Sequence, residues 1–230
     1  MFYYGFDMYY VILVLPAVIF AMWAQINVKS TFSKYSKVPS AHGMTGREAA
    51  RMILDRNGLS HVAVVETPGE LSDHYDPREN VVRLSSSTYN QSTAAAVGVA
   101  AHECGHVIQY DAGYGPIRLR AAMIPITRIG SNLAFPLILL GLLFSMTSLA
   151  YAGILLFGLS VFFQLVTLPV EFDASRRAIE ALEGSGMLSD EGMQASRRVL
   201  RAAALTYVAA MLVALANMLR LLLLVNRRQK

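Results

Sequence analysis

Three long stretches that are both apolar and uncharged constrain this chain more than any other feature of its sequence. Residues 8–28, 129–170 and 202–219 contain no charged side chain, in a chain of 230 residues of which 16% are charged. Because a helix crosses a bilayer with about 20 apolar residues, the outer stretches each fit one span, and the middle stretch fits two spans joined by a turn near residues 145–153. The sequence therefore predicts a mainly α-helical membrane protein with four transmembrane helices.

Lysines and arginines predict how these helices are oriented. Residues 26–128 hold eleven of them and residues 171–201 hold five. If all four spans form, both regions lie on one side of the membrane, which the positive-inside rule assigns to the cytoplasm. Residues 1–8 contain no lysine or arginine, so we predict an uncleaved anchor with its N-terminus outside rather than a secretory signal. The basic tail, residues 227–230, would then lie outside, against the rule.

A further apolar run, residues 94–108, is interrupted by two histidines and a glutamate. The serine–threonine pair 92–93 offers N-cap residues and Gly113 is a typical helix stop, so the run predicts one buried helix. His102 and His106 are four residues apart, so both imidazoles lie on one face of that helix.

Glu103 lies beside these two histidines, about 100° round the helix from His102. Two neutral imidazoles and an adjacent carboxylate are the side chains of a zinc hydrolase, in which the carboxylate accepts a proton from the attacking water. The alternative is a core helix whose histidines bond to the backbone, but burying these three side chains without a metal would be costly. We therefore predict one Zn²⁺ per chain, bound by His102 and His106, with Glu103 as the general base.

Catalytic zinc usually has three protein ligands, and Glu171 is the candidate for the third. It directly follows the third predicted span, where the chain returns to the cytoplasmic side. Asp173 could accept a hydrogen bond from the far nitrogen of a ligand histidine. Alternatively, both carboxylates complement the dipole of a helix over residues 172–183, and the two roles are compatible.

The single cysteine, Cys104, excludes an internal disulfide and fits a reducing compartment. It lies about 200° round the helix from each histidine, which predicts a core residue and not a ligand. The formal net charge of +4 is accounted for by residues that flank the spans. No basic patch is interleaved with aromatic residues, so we predict no nucleic-acid partner.

The segment between the first span and the histidine helix contains a helix and two strand-like runs. Residues 45–48, Thr-Gly-Arg-Glu, have the spacing of a capping box and predict a helix that ends near Gly58. Residues 61–66 and 80–85 predict a two- or three-stranded sheet. An edge strand of this sheet would pair with an extended substrate backbone; the alternative is a hairpin that only covers the histidine helix.

The polar segment 73–78 lies between the two strand-like runs. His74 and Tyr75 are candidate catalytic residues, because a donor here would stabilise the oxyanion formed during peptide cleavage. The alternative is an Asx turn made rigid by Pro77, with the aromatic rings packed beneath it.

These motifs together resemble known enzymes. The His-Glu-x-x-His run at 102–106, with Glu-x-Asp-Ala-Ser at 171–175 after a membrane hairpin, is similar to gluzincin-type membrane peptidases such as HtpX and the CAAX prenyl proteases. The order of an anchor, segments 73–78 and 82–85, the histidine helix and segment 171–175 more closely resembles the YugP-like neutral zinc metallopeptidases of bacterial membranes. The resemblance covers essentially the whole chain.

The resemblance implies that His102, His106 and Glu171 bind zinc and that Glu103 is the catalytic acid/base. Ser175 stands where HtpX and the CAAX proteases commonly have a second acidic residue, so the resemblance leaves the role of that position unassigned here or shifts it to Asp173. The resemblance does not supply a substrate.

The expected fold is four transmembrane helices with a small cytoplasmic α+β, zincin-like catalytic domain. Its predicted parts are a first transmembrane anchor (1–28), a cytoplasmic catalytic region (29–128), a transmembrane hairpin (129–170), cytoplasmic helices with the third ligand (171–201), and a fourth transmembrane helix with a basic tail (202–230).

The predicted function is a multi-pass zinc metalloendopeptidase that cleaves membrane or membrane-associated proteins at the cytoplasmic surface. Its predicted partners are a polypeptide substrate and the lipid bilayer, and the sequence does not predict an oligomeric state. A membrane scaffold with a structural zinc is the alternative, but such a site needs four protein ligands and the sequence offers three. A metal transporter is disfavoured, because Arg220 is the only charge in an apolar block and snorkelling explains it.

Overall fold

The computed structural model describes residues 7–227, and the last three residues of the predicted basic tail lie outside that range. The described chain is mainly helical, with one small sheet. In chain order its elements are α1 (Leu15–Tyr35, preceded by a π-helical turn, Tyr10–Val14), α2 (Gly46–Arg56), β1 (Ala63–Thr67), β2 (His74–Asp76), β3 (Val81–Ser85), α3 (Ser86–Tyr89), α4 (Ala94–Asp111), α5 (Gly115–Leu143), α6 (Thr147–Leu182) and α7 (Asp190–Arg227).

Four helices in the described range are long and apolar enough to cross a membrane, judged by length and composition, and four is the number of candidate spans that the sequence predicts. They are Tyr10–Tyr35, Gly115–Leu143, Thr147–Leu182 and Asp190–Arg227. The predicted turn at 145–153 is too long, since α5 ends at Leu143 and α6 begins at Thr147. Ser145 makes the reversal with φ of 55°, so three residues are enough to join the two helices.

The chain divides into two compact units. The first unit contains the described residues up to Gln25, the segment Leu119–Leu168 and the described residues from Thr206 onward; the second contains Ile26–Arg118 and Pro169–Leu205. In the first unit α5 and α6 approach closely at Gly141, where a Cβ would lie 2.4 Å from the backbone nitrogen of Ala150.

Arg220 of the first unit is paired, which the sequence did not predict. Its Nε lies 2.6 Å from Oδ2 of Asp7, and its guanidinium lies 5.3 Å from the ring centre of Tyr10. An ion pair lowers the cost of a charge in an apolar stretch, so snorkelling alone does not describe this side chain.

The sheet of the second unit has the strand order β1–β3–β2. Strands β1 and β3 confirm the two predicted runs, but they pair in parallel and therefore do not form a hairpin. β3 is the central strand, so the run 80–85 provides no exposed edge, whereas the run 61–66 forms the edge strand β1. β2, which the sequence did not predict as a strand, pairs antiparallel with β3 and is an edge strand.

The two predicted helix starts of the second unit are confirmed. The Thr45 hydroxyl accepts from the Glu48 N–H at 3.2 Å, and the Thr45 N–H donates to the Glu48 carboxylate at 2.8 Å, which completes the capping box. At the start of α4, the Thr93 hydroxyl accepts from the Ala96 N–H at 3.2 Å. These caps position α2 and α4, whose apolar faces share a buried core with the sheet.

Gly105 lets α4 and α6 approach each other closely. A Cβ on Gly105 would lie 2.4 Å from the backbone carbonyl oxygen of Ala174. Backbone atoms cannot rotate away as a side chain can, so any side chain here would separate the two helices.

Replacing Gly105 by alanine is expected to destabilise the protein by about 1–3 kcal/mol, the usual cost of overpacking. The matched control is Gly115→Ala, because a Cβ on Gly115 meets no atom within 4 Å. Thermal unfolding of both variants in detergent micelles measures the difference. Equal melting temperatures for the two variants would contradict the close approach of α4 and α6.

Candidate metal centre

Helix α4 brings the two histidines together and α6 supplies the carboxylate. The rings of His102 and His106 lie with centroids 4.9 Å apart. Oε2 of Glu171 lies 3.3 Å from Nε2 of His102 and 3.7 Å from Nε2 of His106. Each side chain offers one ligand atom, and these atoms all lie within 4.8 Å of one another. All three residues belong to the second unit.

These separations and this donor set fit a zinc ion. Ligand atoms at about 2.0–2.1 Å from a tetrahedral zinc lie about 3.3–3.4 Å from each other, which is close to the two observed distances. The Glu171 side chain is only 2% exposed and His106 is 8% exposed. A carboxylate buried against two imidazoles is costly unless a positive charge compensates it, and a divalent cation would do so.

The position of Glu171 differs from the predicted one. Helix α6 runs without interruption from Thr147 to Leu182, so no separate helix begins at residue 172. Glu171 and Asp173 therefore lie in mid-helix, beyond the reach of the positive end of a helix dipole, which acts within the first turn. The dipole explanation for these two carboxylates is wrong.

The second ring nitrogen of each histidine contacts a side chain to which the sequence assigned no role in metal binding. Nδ1 of His106 lies 3.0 Å from Oε1 of Gln109, and Nδ1 of His102 lies 3.2 Å from Oγ of Ser175. Gln109 follows His106 by three residues, so both lie on the same face of α4. That spacing is a signal from which Gln109 could have been found.

Asp173 reaches the site through Gln109. Its Oδ2 accepts from Nε2 of Gln109 at 2.9 Å and from Nε of Arg177 at 2.6 Å, and its Oδ1 pairs with Arg176. The sequence predicted a bond from a ligand histidine to Asp173; in the structure the amide of Gln109 lies between Asp173 and His106.

Glu103 is buried beside the two histidines, with 7% of its surface exposed. Burial raises the pKa of its carboxyl above the ordinary value, while the imidazoles of His102 and His106 act in the opposite direction. A carboxylate with a raised pKa is a stronger base than an ordinary one, which suits a group that accepts and then returns a proton.

Cys104 faces away from this cluster and into the core. Its Sγ lies 3.6 Å from the carbonyl oxygen of Ala50, and it is fully buried among apolar side chains. Burial raises the pKa of its thiol, which keeps it protonated. Cys104 is thus a core residue, as the sequence predicted.

His74 and Tyr75 lie on the edge strand β2, which packs against α4. Nδ1 of His74 lies 2.8 Å from the carbonyl oxygen of Ser72. The Tyr75 hydroxyl donates to Oδ1 of Asn80 at 2.8 Å, and its ring packs edge-on against Tyr110. The predicted Asx turn follows β2, since Oδ1 of Asp76 accepts from the Arg78 N–H at 2.9 Å.

The described chain thus combines four helices that could span a membrane with a cluster of two histidines and a buried glutamate that could hold a metal ion. Residues 10–226 match the family described as "Putative neutral zinc metallopeptidase", and the chain belongs to this family. It is 45% identical over 217 residues to "Putative membrane protease YugP" of Bacillus subtilis (strain 168), which covers 94% of this chain and 96% of that protein. No solved structure matches the chain significantly. The predicted family resemblance is confirmed.

Proposed function

We propose that this protein is a membrane-embedded zinc metalloendopeptidase of the gluzincin type, with a zincin-like catalytic domain. The observation that supports this proposal most directly is the approach of Glu171, from α6, to within 3.3 and 3.7 Å of the two imidazole nitrogens on α4. Three protein ligands leave the fourth position of a zinc ion open, as catalytic sites require.

The residues of the site divide the reaction between them. His102, His106 and Glu171 would hold one Zn²⁺. The bound ion would supply the positive charge that lowers the pKa of water and polarises the substrate carbonyl. Glu103 accepts a proton from the attacking water as the new carbon–oxygen bond forms. The same carboxyl then donates this proton to the amide nitrogen as the carbon–nitrogen bond breaks.

The proposed substrates are membrane proteins or polypeptides held at the membrane surface. Four helices of membrane-spanning length and a relative named as a membrane protease support this proposal. The lysine and arginine bias of the sequence supports a site on the cytoplasmic side and an N-terminus outside. The bilayer is then a partner in catalysis, because it restricts which peptide bonds reach the site.

Strand β2 is the proposed docking edge for an extended substrate backbone. It is an edge strand of the sheet, and it packs against the helix that carries the two histidines. Main-chain hydrogen bonds to such an edge give affinity with little sequence selection. His74 and Tyr75 on this strand remain the proposed oxyanion donors, although the Tyr75 hydroxyl would first have to leave Asn80.

Removing the metal is expected to abolish peptide hydrolysis. A chelator such as 1,10-phenanthroline should remove zinc from the purified full-length protein in detergent micelles, and one equivalent of Zn²⁺ should restore the rate. Hydrolysis that survives complete removal of the metal, checked by elemental analysis, would contradict the proposed function.

A further inference from the structure

The side-chain amide of Gln109 can adopt only one orientation in its site. Gln109 is fully buried, with 0% of its surface exposed. One end of the amide lies 2.8 Å from the carbonyl oxygen of Val170 and 2.9 Å from Oδ2 of Asp173. Because both neighbours are hydrogen-bond acceptors, this end must be the NH₂ group, and the carbonyl oxygen Oε1 must face His106.

The orientation of Gln109 in turn determines which nitrogen of His106 carries the proton. Oε1 of Gln109 can only accept, so Nδ1 of His106, 3.0 Å away, must be the donor. A neutral imidazole then has its lone pair on Nε2, which is the nitrogen that faces Glu171. The buried amide therefore selects the tautomer that binds a metal and also fixes the ring rotation.

Asp173 is the anchor of this chain of hydrogen bonds. Arg177 donates to Oδ2 of its carboxylate at 2.6 Å, and Arg176 pairs with its other oxygen. The two guanidinium groups keep the carboxylate ionised and in place, and an ionised acceptor strengthens the bond from the Gln109 amide. His102 is held differently, by the Ser175 hydroxyl, which can donate as well as accept and does not impose a tautomer.

We propose that Gln109 is a positioning residue for the metal centre: anchored by Asp173 and Val170, it holds His106 in the tautomer and orientation that bind zinc. This inference rests on the proposed zinc site and not on peptide hydrolysis. Residues that orient a metal-bound histidine typically change metal affinity by about 10–100-fold when they are replaced.

Zinc affinity of the metal-free, full-length protein in detergent micelles tests the proposal. We would compare wild type with Gln109→Leu, which removes all three bonds, and with Gln109→Asn, which keeps the amide but withdraws it from His106. The matched control is Gln194→Leu on the exposed face of α7. Zn²⁺ is titrated against a chelating indicator, and Co²⁺ is used to record the visible absorption spectrum of the site.

We expect the zinc dissociation constant of Gln109→Leu to rise by about 10–100-fold, with a smaller rise for Gln109→Asn and none for the control. The Co²⁺ spectrum should change in both Gln109 variants, which a loss of general stability alone would not cause. Unchanged affinity and spectrum in either folded variant would overturn the role of Gln109 and leave the zinc site standing. A wild type that binds no zinc would instead contradict the proposed function.

Discussion

Replacing Glu103 by glutamine is expected to lower peptide hydrolysis by about 10²–10⁴-fold, the usual contribution of a positioned general base. Glutamine has nearly the same size as glutamate, so the buried site should keep its packing. Its amide, however, cannot accept a proton from water. Zinc content should stay near one ion per chain, because Glu103 is not one of the three clustered ligands. Cleavage of a fluorogenic peptide library in micelles measures the rate, and elemental analysis measures the zinc.

The control for this variant is Glu183→Gln. Glu183 lies just after α6, and its exposed carboxylate pairs with Arg197. The control should keep the wild-type rate. A Glu103→Gln protein that cleaves as fast as wild type would end the general-base assignment. Zinc-loaded wild type without any hydrolysis would instead favour a membrane scaffold with a structural metal.

The second large effect is expected from Glu171→Gln. The neutral amide is a much weaker zinc ligand than the carboxylate, and it no longer compensates the charge of the ion. We expect zinc affinity to fall by more than about 100-fold, because replacing a residue that only orients a ligand already costs about 10–100-fold. Because the variant would bind little zinc, peptide hydrolysis should be lost when zinc is limiting.

Glu171→Gln should differ from Glu103→Gln in one decisive respect. The Glu171 variant is expected to lose the ion, whereas the Glu103 variant is expected to retain it. Equilibrium dialysis against buffered zinc distinguishes the two, again with Glu183→Gln as the control. Retention of zinc by Glu171→Gln with unchanged affinity would mean that another residue is the third ligand.

Features that depend on local sequence could be predicted before the structure was known. The spacing of Thr45 and Glu48 is enough to predict the whole capping box, and Thr93 caps α4 through its own hydroxyl. The helical spacing of His102 and His106 places their rings on one face whatever surrounds the helix. The uncharged stretches likewise predict the number of apolar helices, although the helices extend beyond those stretches.

Features that depend on distant parts of the chain could not be predicted in this way. The three residues of β2 become a strand only because β3 lies beside them, and β1 pairs in parallel with β3 across a long connection. The pairing of Arg220 with Asp7 joins residues more than 200 positions apart. Predicting such pairs requires the fold, because no local pattern identifies the partner.

The metal centre shows both kinds of feature. Glu171 could be identified as a candidate ligand because it follows an uncharged stretch. Its place in the middle of a continuous α6 could not be predicted. The contact between Gln109 and Asp173 joins α4 to α6, so the sequence placed Asp173 next to a histidine and overlooked the amide between them. The kind of site could be predicted from the residue types, whereas the hydrogen-bond partner of each side chain could not.

The central claim, that His102, His106 and Glu171 hold one catalytic zinc ion, is tested most directly by X-ray absorption spectroscopy at the zinc edge of the full-length protein in micelles. The predicted result is a first shell of nitrogen and oxygen only, at about 2.0–2.1 Å, with outer-shell scattering from two imidazoles. A sulfur ligand at about 2.3 Å, or the absence of imidazole scattering, would contradict the claim.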